Sequence, residues 1–412
     1  MSLKLPSPYA NPIVSPFARH PITGLTQTTP QIKLKSPPPP EASQPRYINY
    51  LGDYSGCGHW RILWPEQLIN IRGDGCSTSL TCMVFDPRWY QHVKSVKLQR
   101  QASEPQKKFV SFLKSIQPEY GFKLIYEVDD VVFEEDIPDY NKFKVSFTDD
   151  GVRQNCIDII NMCDEVTVTC EFMKNLYKER TGKSEITVVP NFVPNFWMGH
   201  FYNKRRIVDS YEKNYKKPRI LYTGSGAHYD VDNKVNGKDD FEHVIQFIID
   251  SRHKYQWVFV GAFPPPLLQY IQTGEIEFHK WQNLLNYPKL IVDLEPQAMI
   301  APLQDNNFNK SKSDIKFVEG AVLGIPCICQ DLVTYSTAPD SLKFKTAAEL
   351  AYKLDVILNY KNRKQYKDNI EGLRGYGLSR LMENEENIGC HLEVLNTPYG
   401  SDLRKYLKKW NA

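Results

Sequence analysis

At 412 residues, with 41% hydrophobic and 12% aromatic side chains, the chain is too long for one ordinary core and reads as two globular domains with appendages. Its 51 basic and 48 acidic residues leave a net charge of +3, too small to establish a nucleic-acid partner by itself. No apolar run approaches the roughly 20 residues of a membrane-crossing helix, and MSLKLPSPYANPIVSPF lacks a charged segment followed by an apolar one, so neither a membrane anchor nor a signal peptide is expected. Nine cysteines carry no close metal-type pairs; reduced core thiols in a cytoplasmic protein are the expectation.

Residues 1–45 are rich in Pro, Ser and Thr and include PPPP at 37–40. Such a composition buries too little surface to offset ordering, so an extended or disordered arm is expected. From Tyr47 the pattern changes. RYINYL reads as a strand, GDYSGCGH as a loop, and WRILWPEQLINI as a helix with its Pro near the start. SLTCMVF, VKSVKL and FKLIYEV read as short buried strands, with PQKKFVSFLKSI as a helix before the third. IDIINMC, EVTVTC, EFMKNLYKERTG and ITVVPNF continue the alternation, which argues for a parallel sheet with crossover helices. The rhythm breaks through NKRRIVDSYEKNYKKPR (203–219) and restarts with RILYTG, FEHVIQFIIDSRH, YQWVFVG, LIVDL, MIAPL, DIKFVEGAVLG and IPCICQ, again strand and helix in turn.

The economical reading is α/β: two facing Rossmann-like domains with a cleft between them, behind a Pro-rich N-terminal arm. The boundaries run 1–45 for the arm, 46–200 for the first domain, 201–216 for a basic linker and 217–375 for the second domain. Residues 376–412 form a helical segment expected to pack back on the first domain.

Parallel sheets build sites at the carboxyl ends of their strands, and three loops there hold candidate residues. In GDYSGCGHW, Gly56 and Gly58 would let backbone amides approach an anion, and His59 either reaches a ligand or caps the turn. TGSGAHYD repeats the construction after RILY; Gly224, Ser225 and Gly226 could hold a diphosphate. In APLQDNNFNKSKSDIKFVEGAVLGIP, Ser313 and Asp314 start a helix preceded by Lys310 and Lys312. Lys316 and Glu319 share a face of it, either as a surface ion pair or, beside a helix N-terminus, as phosphate and ribose contacts. A fourth feature is YEVDDVVF, where Glu127, Asp129 and Asp130 cluster at the tip of a buried strand. That cluster is either a helix cap with a solvated turn or part of a site.

Several of these strings together resemble the retaining GT-B glycosyltransferases whose hallmark is two Glu residues separated by seven. The resemblance rests on SKSDIKFVEGAVLGIPCI, on VKLQRQAS and FKLIYEVDDVVF, and on CDEVTVTCEFMKNLY and ITVVPNFVP in that order, and covers residues 47–375. It implies that Glu319 is the second Glu, binding the donor ribose; the first would fall at Ser311 and is absent. It implies donor-phosphate contacts for Lys316 and Ser313; Lys312 joins them as a donor-binding candidate from its place before the helix start. Gly56 and Gly58 match its first-domain glycine loop, and Gly224 and Gly226 the start of its donor domain. Asp129 falls where related phage DNA glycosyltransferases carry an acidic residue at the reaction centre. There it would orient or deprotonate the acceptor hydroxyl, with Asp130 and His59 as further catalytic candidates.

The function expected is sugar transfer, of glucose or arabinose class, from a UDP-linked donor to an acceptor hydroxyl. No obligatory metal is expected, because helix dipoles and Lys hold the diphosphate. The acceptor expected is 5-hydroxymethylcytosine in duplex bacteriophage DNA, contacted by Lys204, Arg205 and Arg206; a solvated linker is the plainer reading of that basic run. The alternatives are a transferase acting on a polysaccharide, lipid-linked sugar or protein, and a non-catalytic nucleotide-sugar or nucleic-acid binding module. The expected location is the cytoplasm, that of the host if a phage encodes the chain.

Overall fold

The computed structural model describes residues 45–199, 213, 216–232, 234–359 and 363–397. They form two units, each around a six-stranded sheet in which every pair is parallel. The first unit holds the described residues of 45–133, 146–190 and 385–397; the second holds those of 134–145 and 191–384.

The first sheet comprises β1 (Tyr47–Tyr50), β2 (Ser77–Leu80), β3 (Ser95–Gln99), β4 (Lys123–Glu127), β5 (Glu165–Val168) and β6 (Ile186–Val188), in the order β2-β1-β3-β4-β5-β6. β1, β3, β4 and β5 are buried along their whole length, as strands covered on both faces must be. Side chains alternate across a strand, and here the two faces differ in chemistry. One carries Ile48, Tyr50, Val96, Leu98, Leu124, Tyr126, Val166 and Val168; the other carries Asn49, Lys97, Gln99, Lys123, Glu127, Glu165 and Thr167, all buried.

Buried charge is tolerable when paired, and Arg61, Glu127, Lys123 and Glu165 are paired on this face, whereas Lys97 makes no ion pair among the described residues and burial lowers its pKa. Arg61 donates to both Glu127 oxygens at 2.7 and 3.3 Å and to the Val189 carbonyl at 2.5 Å. Thr167 Oγ1 donates to Glu127 as well, and Lys123 pairs with Glu165 and donates to the Val394 carbonyl at 3.1 Å. The first carboxylate of YEVDD is thus a framework group, and its strand does not present it to solvent.

Two expectations shift at the start of this unit. The helix begins at Gly56, four residues earlier than WRILWPEQLINI suggested: an α-turn at Gly56–Gly58 runs into a π segment at His59–Leu63 and then into α-helix at Trp64–Arg72. Pro65 has no N–H, and the wider π ring just before it, closed by Trp64 N–H to the His59 carbonyl, accommodates it inside the helix. SLTCMVF is strand only to Leu80. The helices Glu104–Tyr120, Asp150–Met162 and Glu171–Thr181 follow the expected alternation. The Glu385–Asn396 helix packs Ile388, Val394 and Leu395 against Tyr47, Ile69, Ile125 and Val189.

The second sheet comprises β7 (Arg219–Gly224), β8 (Gln256–Gly261), β9 (Glu277–Lys280), β10 (Ala298–Ala301), β11 (Cys327–Gln330) and β12 (Lys343–Phe344), in the order β12-β11-β10-β7-β8-β9. LIVDL lies in the Tyr287–Asp293 helix, and only Ile245–Asp250 of FEHVIQFIIDSRH is α-helix. The Arg363–Ser379 helix packs on the Ile315–Leu323 helix, with the Phe317 and Tyr376 rings 5.3 Å apart.

Each sheet reverses direction once. In the first, β1 lies between β2 and β3; in the second, β7 lies between β8 and β10. The carboxyl ends of strands flanking such a reversal diverge and leave a crevice where ligands of open α/β sheets bind.

Candidate functional site

At the reversal of the second sheet, β7 runs into Gly224-Ser225-Gly226 and a 3-10 turn at Gly226–His228, which Ser225 Oγ caps by accepting from the Ala227 amide at 3.3 Å. Gly224 has to be small: a Cβ there would stand 2.5 Å from Tyr222 Oη. That hydroxyl accepts from Lys316 Nζ at 3.0 Å, and the ammonium lies 4.2 Å from the Tyr222 ring centroid. A Cβ at Gly226 would come 3.2 Å from Lys142 Nζ, so a second cation reaches the same loop from the 134–145 segment. A third, Lys312, sits with Nζ 4.2 Å over the Phe308 ring and acts electrostatically on Lys316 and His228.

Among the described residues none of these three lysines has a carboxylate within ion-pair distance, whereas neighbouring Lys310 is paired with Asp305 at 2.5 Å. Burial and the Lys312 charge push Lys316 down to about 8, and burial lowers Lys142. Asp240 and Glu319 offset this only in part for Lys316, as Asp232 does for Lys142, so cations with no carboxylate in contact are stabilised further when an anion joins them.

The Ile315–Leu323 helix points its start at this cluster. Its N-cap residue, Asp314, makes no side-chain capping bond; the carboxylate is held by Arg380 at 2.8 and 3.0 Å, by Thr337 at 2.8 Å and by Tyr376 at 3.1 Å. The Phe317 amide donates to the Asp314 carbonyl at 2.9 Å, which leaves the Ile315 and Lys316 amides for a ligand, with the positive end of the helix behind them. Ser313 Oγ accepts from Asn191 Nδ2 at 2.9 Å.

One turn inward, Glu319 is 6% exposed, accepts from Tyr287 Oη at 3.2 Å and is pushed up to about 7 by burial. The surface ion pair entertained for Lys316 and Glu319 does not form: each turns to a different buried tyrosine. Ser311, standing where the first Glu of the pair would fall, is buried at the end of the Asn307–Lys310 turn.

Sequence reasoning passed over His228, although it stands inside the TGSGAHYD loop. Its Nδ1 lies 2.6 Å from Asp240 Oδ2, and Asp240 Oδ1 accepts from Tyr140 Oη at 2.7 Å, Asn309 Nδ2 at 2.6 Å and the Gln304 amide at 2.9 Å. Lys142 was missed with it. The signal for both is non-local, because the 134–145 segment belongs to the second unit while the chain on either side of it belongs to the first.

At the reversal of the first sheet three charged side chains meet, from the ends of three adjacent strands: Asp53 after β1, Arg100 after β3 and Asp129 after β4. Arg100 Nη2 pairs with Asp53, and its Nε lies 3.8 Å from Asp129 Oδ1. Asp129 is 8% exposed at its side chain, and Oδ1 has no hydrogen-bond partner among the described residues. Arg100 holds φ at 48°, a left-handed conformation that costs a non-glycine residue about 1 kcal/mol and is concentrated at functional sites. A half-satisfied carboxylate beside a fixed cation can accept a hydroxyl proton or stabilise a developing positive centre.

The glycine loop beside it is built differently from the expectation. The Gly58 amide donates to Asp53 Oδ1 at 3.3 Å, as Ser55 N and Oγ do at 2.7 and 2.5 Å, so a carboxylate of the chain occupies the place offered to a phosphate. Gly58 is required by packing, since a Cβ would lie 1.9 Å from the Asp53 carbonyl oxygen; at Gly56 the nearest atom is 3.9 Å away. His59 Nδ1 donates to the Ser55 carbonyl at 2.9 Å, the turn-capping alternative. Asp130 Oδ1 accepts from the Val131 amide at 3.0 Å. Lys204, Arg205 and Arg206 lie outside the described residues, as do the N-terminal arm to residue 44 and the basic LRKYLKKW run.

Among the described residues no group of three or more His, Cys, Asp or Glu side chains is placed to hold a metal ion, and no helix is long and apolar enough to cross a membrane.

No family model matches the chain, and no curated protein does. Solved structures do. HepE of Anabaena, in complex with UDP, is similar with a TM-score of 0.53 at 9% identity, over 88% of this chain and 99% of that one. An alpha-glucosyltransferase in complex with UDP and a 13-mer DNA containing a HMU base reaches 0.50 at 10% identity, over 85% of this chain and 98% of that one. The chain has the GT-B fold.

Proposed function

We propose that the chain is a glycosyltransferase that takes its sugar from a UDP-linked donor. The observation that carries this reading is the set of three lysines, Lys142, Lys312 and Lys316, gathered without carboxylate partners around the Gly224-Ser225-Gly226 loop at the reversal of a GT-B sheet. A diphosphate supplies the missing charge, the open amides of the Ile315–Leu323 helix add donors, and Glu319 accepts from the ribose hydroxyls. Both structural neighbours were solved with UDP.

Asp129 is the proposed base or charge stabiliser for the acceptor hydroxyl, held by Arg100, which in turn is paired with Asp53. Asp130 and His59 remain the second choices, both held by local backbone bonds.

For the acceptor we propose a hydroxymethylated base in duplex DNA, with glucose or arabinose as the sugar. The support is one neighbour whose complex contains DNA with a HMU base, together with the basic run Lys204-Arg205-Arg206.

Incubation with radiolabelled UDP-sugars, alone and with hydroxymethylated or plain duplex, tests the proposal. Label in the hydroxymethylated duplex alone supports it. Release of UDP without label in DNA leaves a glycosyltransferase with another acceptor, and no turnover with any UDP-sugar and any acceptor class overturns the enzyme reading. Neutralising Lys204, Arg205 and Arg206 should flatten the salt dependence of duplex binding, whose slope is roughly −0.9 per phosphate contact.

A further inference from the structure

His228 stands where a phosphate ligand would be expected, yet it is kept neutral. Its Nδ1 faces Asp240, whose other oxygen already accepts from Tyr140, Asn309 and the Gln304 amide. A carboxylate so surrounded by donors stays ionised; burial is the largest single influence and opposes this, but His228, the Gln304 amide and Tyr140 together outweigh it, and Asp240 lies below its ordinary range. The imidazole proton therefore sits on Nδ1, and Nε2 holds a lone pair with no hydrogen-bond partner among the described residues.

The charges facing the ring from other elements are cationic, Lys312 and Lys316 at the start of the Ile315–Leu323 helix, with Lys142 beside Gly226. The Tyr222 ring packs edge-on at 6.4 Å. Of the remaining acids of the loop, Asp230 and Asp239 accept from backbone amides and Asp232 pairs with Lys234 at 3.2 Å. Burial, then Lys316 and Lys312, push His228 down to about 3, so it adds no fourth positive charge while the cluster is empty.

We propose that His228 is a proton-coupled ligand of the donor diphosphate: when phosphate oxygens settle among the lysines, Nε2 takes a proton from the solvent and donates it to one of them, while Nδ1 stays bonded to Asp240. The inference rests on the donor reading above. The negative charge of the ligand offsets the lysines that keep the ring neutral, and Asp240 then stabilises the imidazolium. The loop thereby holds three fixed cations and a fourth that exists only with ligand bound.

The test uses the full chain labelled with nitrogen-15 at histidine, titrated with UDP near pH 7.5. Imidazole spectra should show Nε2 of His228 unprotonated without UDP and protonated at saturation, with the Nδ1 proton present throughout. His228→Gln should bind UDP about 10- to 100-fold more weakly near neutral pH, the loss of a charged hydrogen bond. Should UDP bind while Nε2 stays unprotonated, the proposal falls and the diphosphate site stands. If UDP does not bind at millimolar concentration, both fall. The wild-type spectrum decides even where the variant fails to fold.

Discussion

Replacing Glu319 by Gln should stabilise the folded chain at alkaline pH while weakening nucleotide binding. Burial holds the carboxyl near 7, against 4.5 for an ordinary Glu. For an acid with a raised folded pKa, the unfolded chain gives up its proton first. Stability is therefore full below 4.5 and is lost as pH rises through 7. At about 1.4 kcal/mol per pH unit, the interval between those values amounts to about 3.5 kcal/mol. Gln keeps an oxygen for Tyr287 and cannot ionise. In urea denaturation the variant should gain about 2–3 kcal/mol more over wild type near pH 8.5 than near pH 5. UDP affinity should fall by about 1.5–3 kcal/mol, the worth of one charged hydrogen bond. A stability difference that is the same at both pH values would refute the buried-carboxyl argument, and unchanged UDP affinity would remove Glu319 from the site.

Lys316 is protonated below about 8, so UDP affinity should decline as pH rises through that value, and Lys316→Met should bind about 10- to 100-fold more weakly at pH 7 with the alkaline decline removed; calorimetric titration across pH 6.5–9.5 checks both. Asp129→Asn should fold, bind UDP within a factor of about three of wild type and transfer sugar at least about a hundredfold more slowly in a single-turnover assay; near-normal transfer would move the role to Asp130 or His59. Gly58→Ala should lower the melting temperature sharply or prevent folding, because its Cβ would meet backbone at 1.9 Å, whereas Gly56→Ala, with 3.9 Å of room, should melt within a few degrees of wild type.

Interior strands could be read from the sequence because a parallel sheet covered on both faces demands buried residues at every position: FKLIYEV, RILYTG and YQWVFVG all lie on strands in the middle of their sheets. The edge strands of the second sheet escaped. β9 is EFHK and β12 only KF, and neither carries an apolar run. The early helix start at Gly56 escaped because its irregular π turn breaks the 3.6-residue rhythm just before Pro65. Lys312, Ser313, Lys316 and Glu319 were legible because a helix start is a local signal. His228 with Asp240, and Lys142 with Gly226, depend on chain segments brought together by the fold. Nor does any local pattern announce that Arg100 adopts a left-handed backbone between two acids, or that Asp53 fills the anion position beside Gly58.

The central claim is that the lysine-lined loop of the second unit holds the diphosphate of a nucleotide sugar. Its most direct test is calorimetric titration of UDP into the wild-type chain and into a Lys312→Met, Lys316→Met double variant shown by circular dichroism to be folded. The account predicts one UDP per wild-type chain and at least about a hundredfold loss in the variant, since two charged hydrogen bonds are removed. Equal affinity in both proteins, or no binding to the wild type at millimolar UDP, would contradict it.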